Sequence, residues 1–219
     1  MFDKLRALKA KGYVPDTILD IGAYKATWTQ SMRPIYPDAN YYLFEAIEYP
    51  ELTQYAASTS NVTSYNVVLN DKVDKVCWYQ KKNTGDSMFI EKTKHFVDCE
   101  VLERDTIDLD TFISENHIVN DASHIFIKID CQGAEIPILK GSSSILKRTD
   151  FVLIEMPFFG TYNQGVPTYL EHIAFMDSIG FVPYDILESH YINGFNMQID
   201  MLFINKNHSF TSLVNTLLL

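Results

Sequence analysis

Residues 125–135, with the sequence IFIKIDCQGAE, constrain the fold more than any other part of the chain. The segment opens with an apolar, β-branched run that is too short for a typical helix and is typical of a strand buried on both faces of a parallel sheet. The run ends at Asp130, and Gly133 then turns the chain into residues with apolar side chains at helical spacing. The segment therefore predicts a strand followed by a helix, the repeating unit of an open α/β sheet.

Asp130 has two interpretations because it lies between a predicted strand and a predicted helix. Ligands of open α/β sheets bind beyond the carboxyl ends of the strands, where Asp130 would lie. An aspartate in this place can equally cap the helix by accepting a hydrogen bond from one of its first backbone N–H groups. The ends of the other predicted strands bear on this choice.

Polar residues also end the other predicted strands of the first half of the chain. The predicted strands are residues 17–22, 41–45, 62–69, 125–130, 151–155, 181–186 and 199–204. The predicted helices are residues 1–11, 23–35, 51–58, 108–116, 134–140 and 169–178. Because strands and helices alternate, we expect a doubly wound, mostly parallel α/β sheet with helices on both faces. The acids that end its strands would then meet at one edge of the sheet.

Length and composition predict a single domain over residues 1–219. With 47% hydrophobic residues, the chain can bury a substantial core within the size range of one domain. Within it we expect an N-terminal helix in residues 1–14, a small β insertion in residues 73–101 and a C-terminal tail in residues 207–219, which is either a capping helix or a frayed end. The three cysteines are widely spaced and form no C-x-x-C pair, so neither a disulfide framework nor a zinc site is predicted.

The formal net charge of −10 argues against nucleic acid and anionic membranes as partners, because phosphate binding depends on clustered Lys and Arg. No segment approaches the roughly 20 apolar residues of a membrane span. Residues 1–11 have an amphipathic pattern instead of the apolar core of a signal peptide. We therefore expect a cytoplasmic protein that acts on a small molecule.

The loop after the first predicted strand restricts the choice of cofactor. Proteins that bind NAD or FAD carry G-x-G-x-x-G there, which lets the backbone approach a pyrophosphate. This chain has GAYKAT at residues 22–27, with one glycine where three are needed, and it has no P-loop motif, so a nicotinamide oxidoreductase is disfavoured. S-adenosylmethionine fits better, because an acid such as Glu45 can bind its ribose diol and other acids can balance its sulfonium charge.

Six short motifs spread over the chain are specific in combination. They are DIGA at residues 20–23, FE at 44–45, KIDCQGAE at 128–135, LKG at 139–141, IE at 154–155 and IDMLF at 199–203. Together they resemble the FkbM family of S-adenosylmethionine-dependent methyltransferases over about residues 17–205. The resemblance implies a Rossmann-like methyltransferase sheet of seven strands, with an antiparallel last strand at residues 199–204. It also implies methyl transfer to oxygen, commonly on sugars or on hydroxyls of secondary metabolites.

The resemblance also implies which residues bind the cofactor. They are Asp20, Gly22, Ala23 and Tyr24 after the first strand, Glu45 and Ala46 after the second, Asn70 and Asp71 after the third, and Asp130. The first three groups would approach the methionine part, the ribose and the adenine, in that order. Two residues depart from the family pattern, since Tyr24 replaces the usual asparagine and Ala26 replaces the usual second glycine. The alternative function is therefore a non-catalytic or partner-dependent S-adenosylmethionine-binding module with a degenerate glycine loop.

Methyl transfer to a hydroxyl needs a general base near the acceptor, and their positions make Asp130 and Glu155 the predicted catalytic residues. The family resemblance favours a functional Asp130 over a helix cap, whereas Glu155 can equally be a structural acid. Asp200, His172 and His190 are secondary candidates. We expect His172 to be a surface or packing histidine in a helix and His190 to be a surface histidine in a polar turn at residues 188–191. No ligand spacing in the sequence predicts a metal site.

Overall fold

The computed structural model describes residues 1–119, 122 and 124–217, the last four by their backbone alone. Its strands are β1 (Thr17–Ile21), β2 (Asn40–Glu45), β3 (Val62–Asn66), β4 (Val68–Asn70), β5 (Asp74–Gln80), β6 (Glu100–Asp108), β7 (Ile125–Ile129), β8 (Thr149–Pro157), β9 (Phe181–Ile192) and β10 (Phe195–Asn205). Its α-helices are α1 (Phe2–Ala10), α2 (Thr27–Met32), α3 (Pro50–Ser58), α4 (Leu109–Glu115), α5 (Glu135–Lys140), α6 (Tyr169–Ser178) and α7 (Ser209–Leu217). No described helix is long and apolar enough to cross a membrane.

Seven strands form one sheet in the order β3-β2-β1-β7-β8-β10-β9. Its neighbouring strands are parallel except around β10, which is antiparallel to both β8 and β9. The predicted fold class is confirmed, including the antiparallel last strand. The strand order reverses between β1 and β7, and ligands of open α/β sheets bind at such a reversal.

Alternate side chains of the central strands enter two separate cores, because successive residues of a strand point to opposite faces of the sheet. Phe126 belongs to the core on one face, together with Leu8 from α1 and Met32 from α2. Ile127 belongs to the core on the other face, together with Leu139 from α5. Burial on both faces is the reason that this strand is a nearly continuous apolar run.

Helix α2 is shorter than the helix predicted at residues 23–35, so both predicted boundaries were wrong. The residues before Thr27 are not helical, because Tyr24 and Ala26 have φ angles of 49° and 62° in the left-handed region. The helix ends at Met32, close to Pro34. Proline has no backbone N–H group and cannot donate the next hydrogen bond of the helix, which accounts for the early end.

The predicted strand at residues 62–69 is divided in the structure between two sheets. Its first part, β3, stays in the main sheet, and β4 pairs in parallel with β6 in a separate three-stranded sheet of order β4-β6-β5. The chain passes between the two sheets at Val67, whose N–H donates a 2.9 Å hydrogen bond to the carbonyl of Glu45. The second sheet therefore extends beyond the insertion predicted at residues 73–101, from Val68 to Asp108.

Strands β9 and β10 form a hairpin that is longer than the strands predicted at residues 181–186 and 199–204. Asn193 and Gly194 connect them with φ angles of 50° and 84°, as a two-residue type I′ turn requires. His190, which we expected in a polar turn at residues 188–191, lies in β9 instead. The Asn-Gly sequence at residues 193–194 is typical of such a hairpin turn.

Candidate functional site

A cavity of about 660 Å³ opens at the carboxyl ends of β1, β2, β7 and β8. It lies at the reversal of the strand order, and its volume is in the range of small-molecule sites. The second sheet and the loop that follows β5 form part of its wall. Apolar side chains such as Ile21 and Phe44 line it together with carboxylates. The carboxylates are Glu45, Asp86, Glu91, Asp130 and Glu155.

Glu45 ends β2 and presents a fixed carboxylate to the cavity. Its Oε2 atom accepts a hydrogen bond from the backbone N–H of Tyr24 at 2.7 Å, and its Oε1 atom accepts one from Ile47 at 2.9 Å. Burial raises the pKa of Glu45, although these hydrogen bonds and the charge of Lys128 act to lower it. A carboxylate oxygen has two acceptor positions, so Glu45 can still accept hydrogen bonds from the two hydroxyls of a diol.

Lys128 connects the ends of β1 and β7 through buried charges. Its Nζ atom lies 3.1 Å from Asp20 Oδ1 and 3.7 Å from Asp130 Oδ2, and it donates to the carbonyl of Gly22 at 2.8 Å. Burial lowers the pKa of Lys128, but the two carboxylates outweigh burial and raise the pKa overall. Asp20 also accepts a 2.6 Å hydrogen bond from the hydroxyl of Thr29. Lys128 is therefore protonated and engaged by these partners.

Asp130 and Glu155 share a glutamine donor at the wall of the cavity. The Nε2 atom of Gln132 lies 3.2 Å from Asp130 Oδ1 and 2.9 Å from Glu155 Oε2. Gln198 donates to the same oxygen of Glu155 at 3.0 Å. Burial, and then the carboxylates of Asp130 and Asp200, raise the pKa of Glu155 well above its ordinary value. The wall thus holds two carboxylates side by side with fixed orientations.

Asp130 does not cap helix α5. The N-cap residue of this helix is Ala134, which has no side-chain capping hydrogen bond. Glu135 holds the turn before the helix instead, because its Oε1 atom accepts hydrogen bonds from the N–H groups of Cys131 at 2.9 Å and Gly133 at 3.2 Å. The helix-cap interpretation of Asp130 is therefore wrong, and its side chain lines the cavity.

Glu135 gives the protein a testable pH dependence of stability. Burial raises its pKa from 4.5 to about 7. Because the folded-state pKa is the higher one, the stabilisation is complete below the unfolded-state pKa and is lost as the pH rises through the folded-state pKa. Between about pH 4.5 and 8, we expect the free energy of unfolding to fall by up to about 3 kcal/mol more in the wild type than in Glu135→Gln. Urea denaturation measures this difference, and the same pH dependence in both proteins would contradict it.

The two departures from the family pattern lie in different surroundings. Ala26 is completely buried in the core at the start of α2, so its methyl group does not enter the cavity. Tyr24 does line the cavity, and its ring packs edge-on against the ring of Tyr49 at a centroid distance of 4.9 Å. The backbone N–H of Tyr24 donates to the Glu45 side chain, so the Tyr24 side chain takes no part in this hydrogen bond.

The structure brings most of the predicted site residues to the cavity. Those that line it are Gly22, Tyr24, Glu45, Ala46, Asp130 and Glu155. Those that do not line it are Asp20, Ala23, Asn70 and Asp71. Asp20 and Ala23 are buried, and residues 67–69 line the cavity in place of Asn70 and Asp71, because β4 has left the main sheet.

Four other residues of the site were not predicted to belong to it from the sequence. Gln132 and Gln198 orient Glu155, and they come from different parts of the chain. Trp78 and Phe96 line the cavity and belong to the insertion predicted at residues 73–101. The sequence of that insertion contains a polar, turn-rich stretch at residues 83–87, and we predicted no site residue there. The positions of Trp78 and Phe96 depend on how the second sheet packs over the first, which no local pattern encodes.

The secondary candidates divide into one structural residue and one pair near the site. His172 is completely buried in α6, and its Nδ1 atom lies 2.9 Å from the carbonyl of Thr168, so it has the packing role and not the surface role of the two that we expected. The Nε2 atom of His190 lies 2.7 Å from Asp200 Oδ2. Asp200 pairs across the strands with Glu155, which places this pair at the edge of the cavity.

Solved structures that are similar to this chain include several methyltransferases. The chain is similar to methyltransferase FkbM from Methylobacillus flagellatus, with a TM-score of 0.52 and 13% identity over 85% of this chain and 43% of that one. It is also similar to 1,6-didemethyltoxoflavin-N1-methyltransferase from Burkholderia thailandensis, with a TM-score of 0.53 and 12% identity over 91% of this chain and 76% of that one. Magnesium protoporphyrin IX methyltransferase from Synechocystis has a TM-score of 0.50 and 11% identity, over 93% of this chain and 81% of that one.

These identities show a shared fold alone, and the chain spans less than half the length of the Methylobacillus protein. No curated protein sequence matches the chain. Residues 20–183, most of the chain, match the family model of the methyltransferase FkbM domain. This protein therefore belongs to the FkbM methyltransferase family.

Proposed function

We propose that the protein transfers a methyl group from S-adenosylmethionine to a hydroxyl oxygen of a small acceptor, such as a sugar or another hydroxylated metabolite. The observation that carries the proposal is the fixed carboxylate of Glu45 in a cavity that also holds Asp130 and Glu155. Family membership supports methyl transfer. The similar proteins from Burkholderia and Synechocystis bind S-adenosylhomocysteine, which supports the same cofactor class here. These two proteins are named for 1,6-didemethyltoxoflavin and magnesium protoporphyrin IX, so they do not support a hydroxyl acceptor, which is our own proposal.

The residues of the cavity fit this cofactor. Glu45 would hold the ribose hydroxyls, and the apolar side chains of Phe44 and Leu69 would face the base. Glu45, Asp130 and Glu155 line the cavity, whereas the nearby Lys128 is already engaged by Asp20 and Asp130. Carboxyl groups in such a cavity suit a cationic ligand, because its positive charge would favour their ionised forms. When bound, S-adenosylmethionine would supply an activated methyl group and a positive charge.

The protein itself would align the acceptor and remove its proton. Methyl transfer is an in-line displacement, so the orientation of the attacking oxygen controls the rate. Asp130 and Glu155 are the carboxylates placed to take the proton of that hydroxyl. Gln132 would keep both of them oriented, since its amide donates to each.

The alternative is a non-catalytic or partner-dependent S-adenosylmethionine-binding module. This alternative was based on two departures from the family pattern that could compromise the cofactor pocket, and neither residue obstructs the cavity. Ala26 is buried away from the cavity, and the ring of Tyr24 packs against Tyr49. These contacts favour an enzyme over the binding module.

Calorimetric titration with S-adenosylmethionine, S-adenosylhomocysteine and NADH tests the proposal. We expect micromolar binding of the two sulfur ligands and none of NADH. Glu45→Gln should weaken binding by about 10- to 100-fold, because hydrogen bonds to a charged group contribute roughly 1.5–3 kcal/mol. Glu51→Gln is the matched control, since Glu51 is exposed, pairs with Lys25 at 2.5 Å and does not line the cavity.

Two results would contradict the proposal. The absence of binding by either sulfur ligand would remove the cofactor assignment. Binding without transfer of a methyl group to any acceptor in a panel of sugars and hydroxylated metabolites, followed by mass spectrometry, would favour the binding module.

A further inference from the structure

Three potential metal ligands meet on one face of the main sheet, next to the cavity. Asp200 on β10 lies directly opposite Glu155 on β8, and His190 on β9 lies opposite Gln198, two residues before Asp200. Directly opposed residues of antiparallel strands point to the same face, as do residues two apart on one strand. The register therefore places Glu155, His190 and Asp200 side by side.

The three ligating atoms lie close enough together to approach a single ion. One ligating atom from each of the three side chains lies within 4.8 Å of the other two. The ligands of a six-coordinate ion with bonds of about 2.1 Å are about 3.0 Å apart when adjacent and about 4.2 Å apart when opposite. The Nε2 atom of His190 lies 2.7 Å from Asp200 Oδ2, so these two atoms need to separate by only a few tenths of an ångström.

The surroundings supply the support that metal ligands usually have. Gln132 and Gln198 both donate to Oε2 of Glu155, which fixes this carboxylate from two sides. Asp200 is 7% exposed, and His190 lies within ion-pair distance of it. Glu155 is close enough to Asp200 for the two carboxylates to repel each other, and a bound cation would remove this repulsion.

We propose that Glu155, His190 and Asp200 bind one divalent transition-metal ion at the edge of the cavity. Imidazole combined with two carboxylates favours an ion such as Mn²⁺ or Zn²⁺ over Mg²⁺ or Ca²⁺, which prefer oxygen ligands alone. Glu155 and Gln198 also line the cavity, so a bound ion would lie next to the space proposed for the acceptor. A metal there would orient the acceptor oxygen. This role of the metal rests on the proposed function, whereas metal binding itself does not.

Titration of the chelator-treated protein with Mn²⁺ tests the site without cofactor or acceptor. Electron paramagnetic resonance measures the free Mn²⁺, and the loss of its signal gives the amount bound. We expect one ion bound per chain with micromolar affinity, and Zn²⁺ should displace it. His190→Ala and Asp200→Asn should each weaken binding at least about 10-fold. His124→Ala is the matched control, because the Nδ1 atom of His124 lies 2.9 Å from Asp150 Oδ2 in a similar pair outside the three-ligand group.

The outcomes separate this site from the proposed function. If the wild type binds no Mn²⁺, or His190→Ala binds it as tightly as the wild type, the pair is an ordinary hydrogen bond and the metal site is refuted. Binding of S-adenosylhomocysteine is measured separately by calorimetry and does not need the metal. Cofactor binding without Mn²⁺ binding would refute this inference alone, and Mn²⁺ binding without cofactor binding would refute the proposed function alone.

Discussion

Replacing Gly22 with alanine is expected to lower the free energy of unfolding by more than about 4 kcal/mol, one of the largest effects of a single substitution. A Cβ atom at this position would lie 1.9 Å from the backbone carbonyl oxygen of Asp130. The backbone is held on both sides of this contact, so neither atom can move freely. The N–H of Asp130 donates to the carbonyl of Ile21 at 3.0 Å, and the N–H of Gly22 donates to the carbonyl of Phe44 at 2.9 Å. Urea denaturation monitored by circular dichroism measures the loss.

Gly12→Ala is the matched control for this substitution. Gly12 also has a left-handed φ, of 99°, but a Cβ atom there would have no heavy atom within 4 Å. Its substitution should cost only the strain of the backbone conformation, about 1–2 kcal/mol. An equal loss in both variants would show that the contact with Asp130 is not the cause. An insoluble Gly22→Ala beside a soluble Gly12→Ala would agree with the prediction.

Lys128→Met should lower the free energy of unfolding by about 3–5 kcal/mol, because it leaves two carboxylates without their shared cation. Lys128 is 6% exposed and Asp20 is completely buried, so water cannot replace the lost charge at Asp20. The substitution should also weaken cofactor binding, since the ends of β1 and β7 lose their link at the edge of the cavity. Urea denaturation and calorimetric titration with S-adenosylhomocysteine measure the two effects.

The double variant Lys128→Met/Asp20→Asn tests the cause of this effect. Removal of the buried charge at Asp20 should return part of the lost stability, because the penalty comes from an unpaired ion. Lys140→Met is the control, since Lys140 is exposed at the end of α5. The explanation fails if the double variant is no more stable than Lys128→Met.

Local patterns predicted the parts of the fold whose environment is uniform. The strand at β7 is buried on both faces, so nearly every residue in it is apolar and the pattern is visible in the sequence alone. The acids after such strands were predictable for the same reason, and Glu45, Asp130 and Glu155 all line the cavity. Asn70 followed a similar pattern and does not line it, because β4 pairs with β6 instead of β3.

The residue pattern by itself determined the class of sheet and three carboxylates that line the cavity, because each depends on a short run of neighbouring residues, whereas the antiparallel last strand was implied by the family resemblance. Only the tertiary structure decided that β4 joins a second sheet and that Ala26 is buried away from the cavity. It also decided that Glu155, His190 and Asp200 meet. The physical reason is register: these three residues belong to three strands, and a shift of one residue in either pairing would turn a side chain to the opposite face.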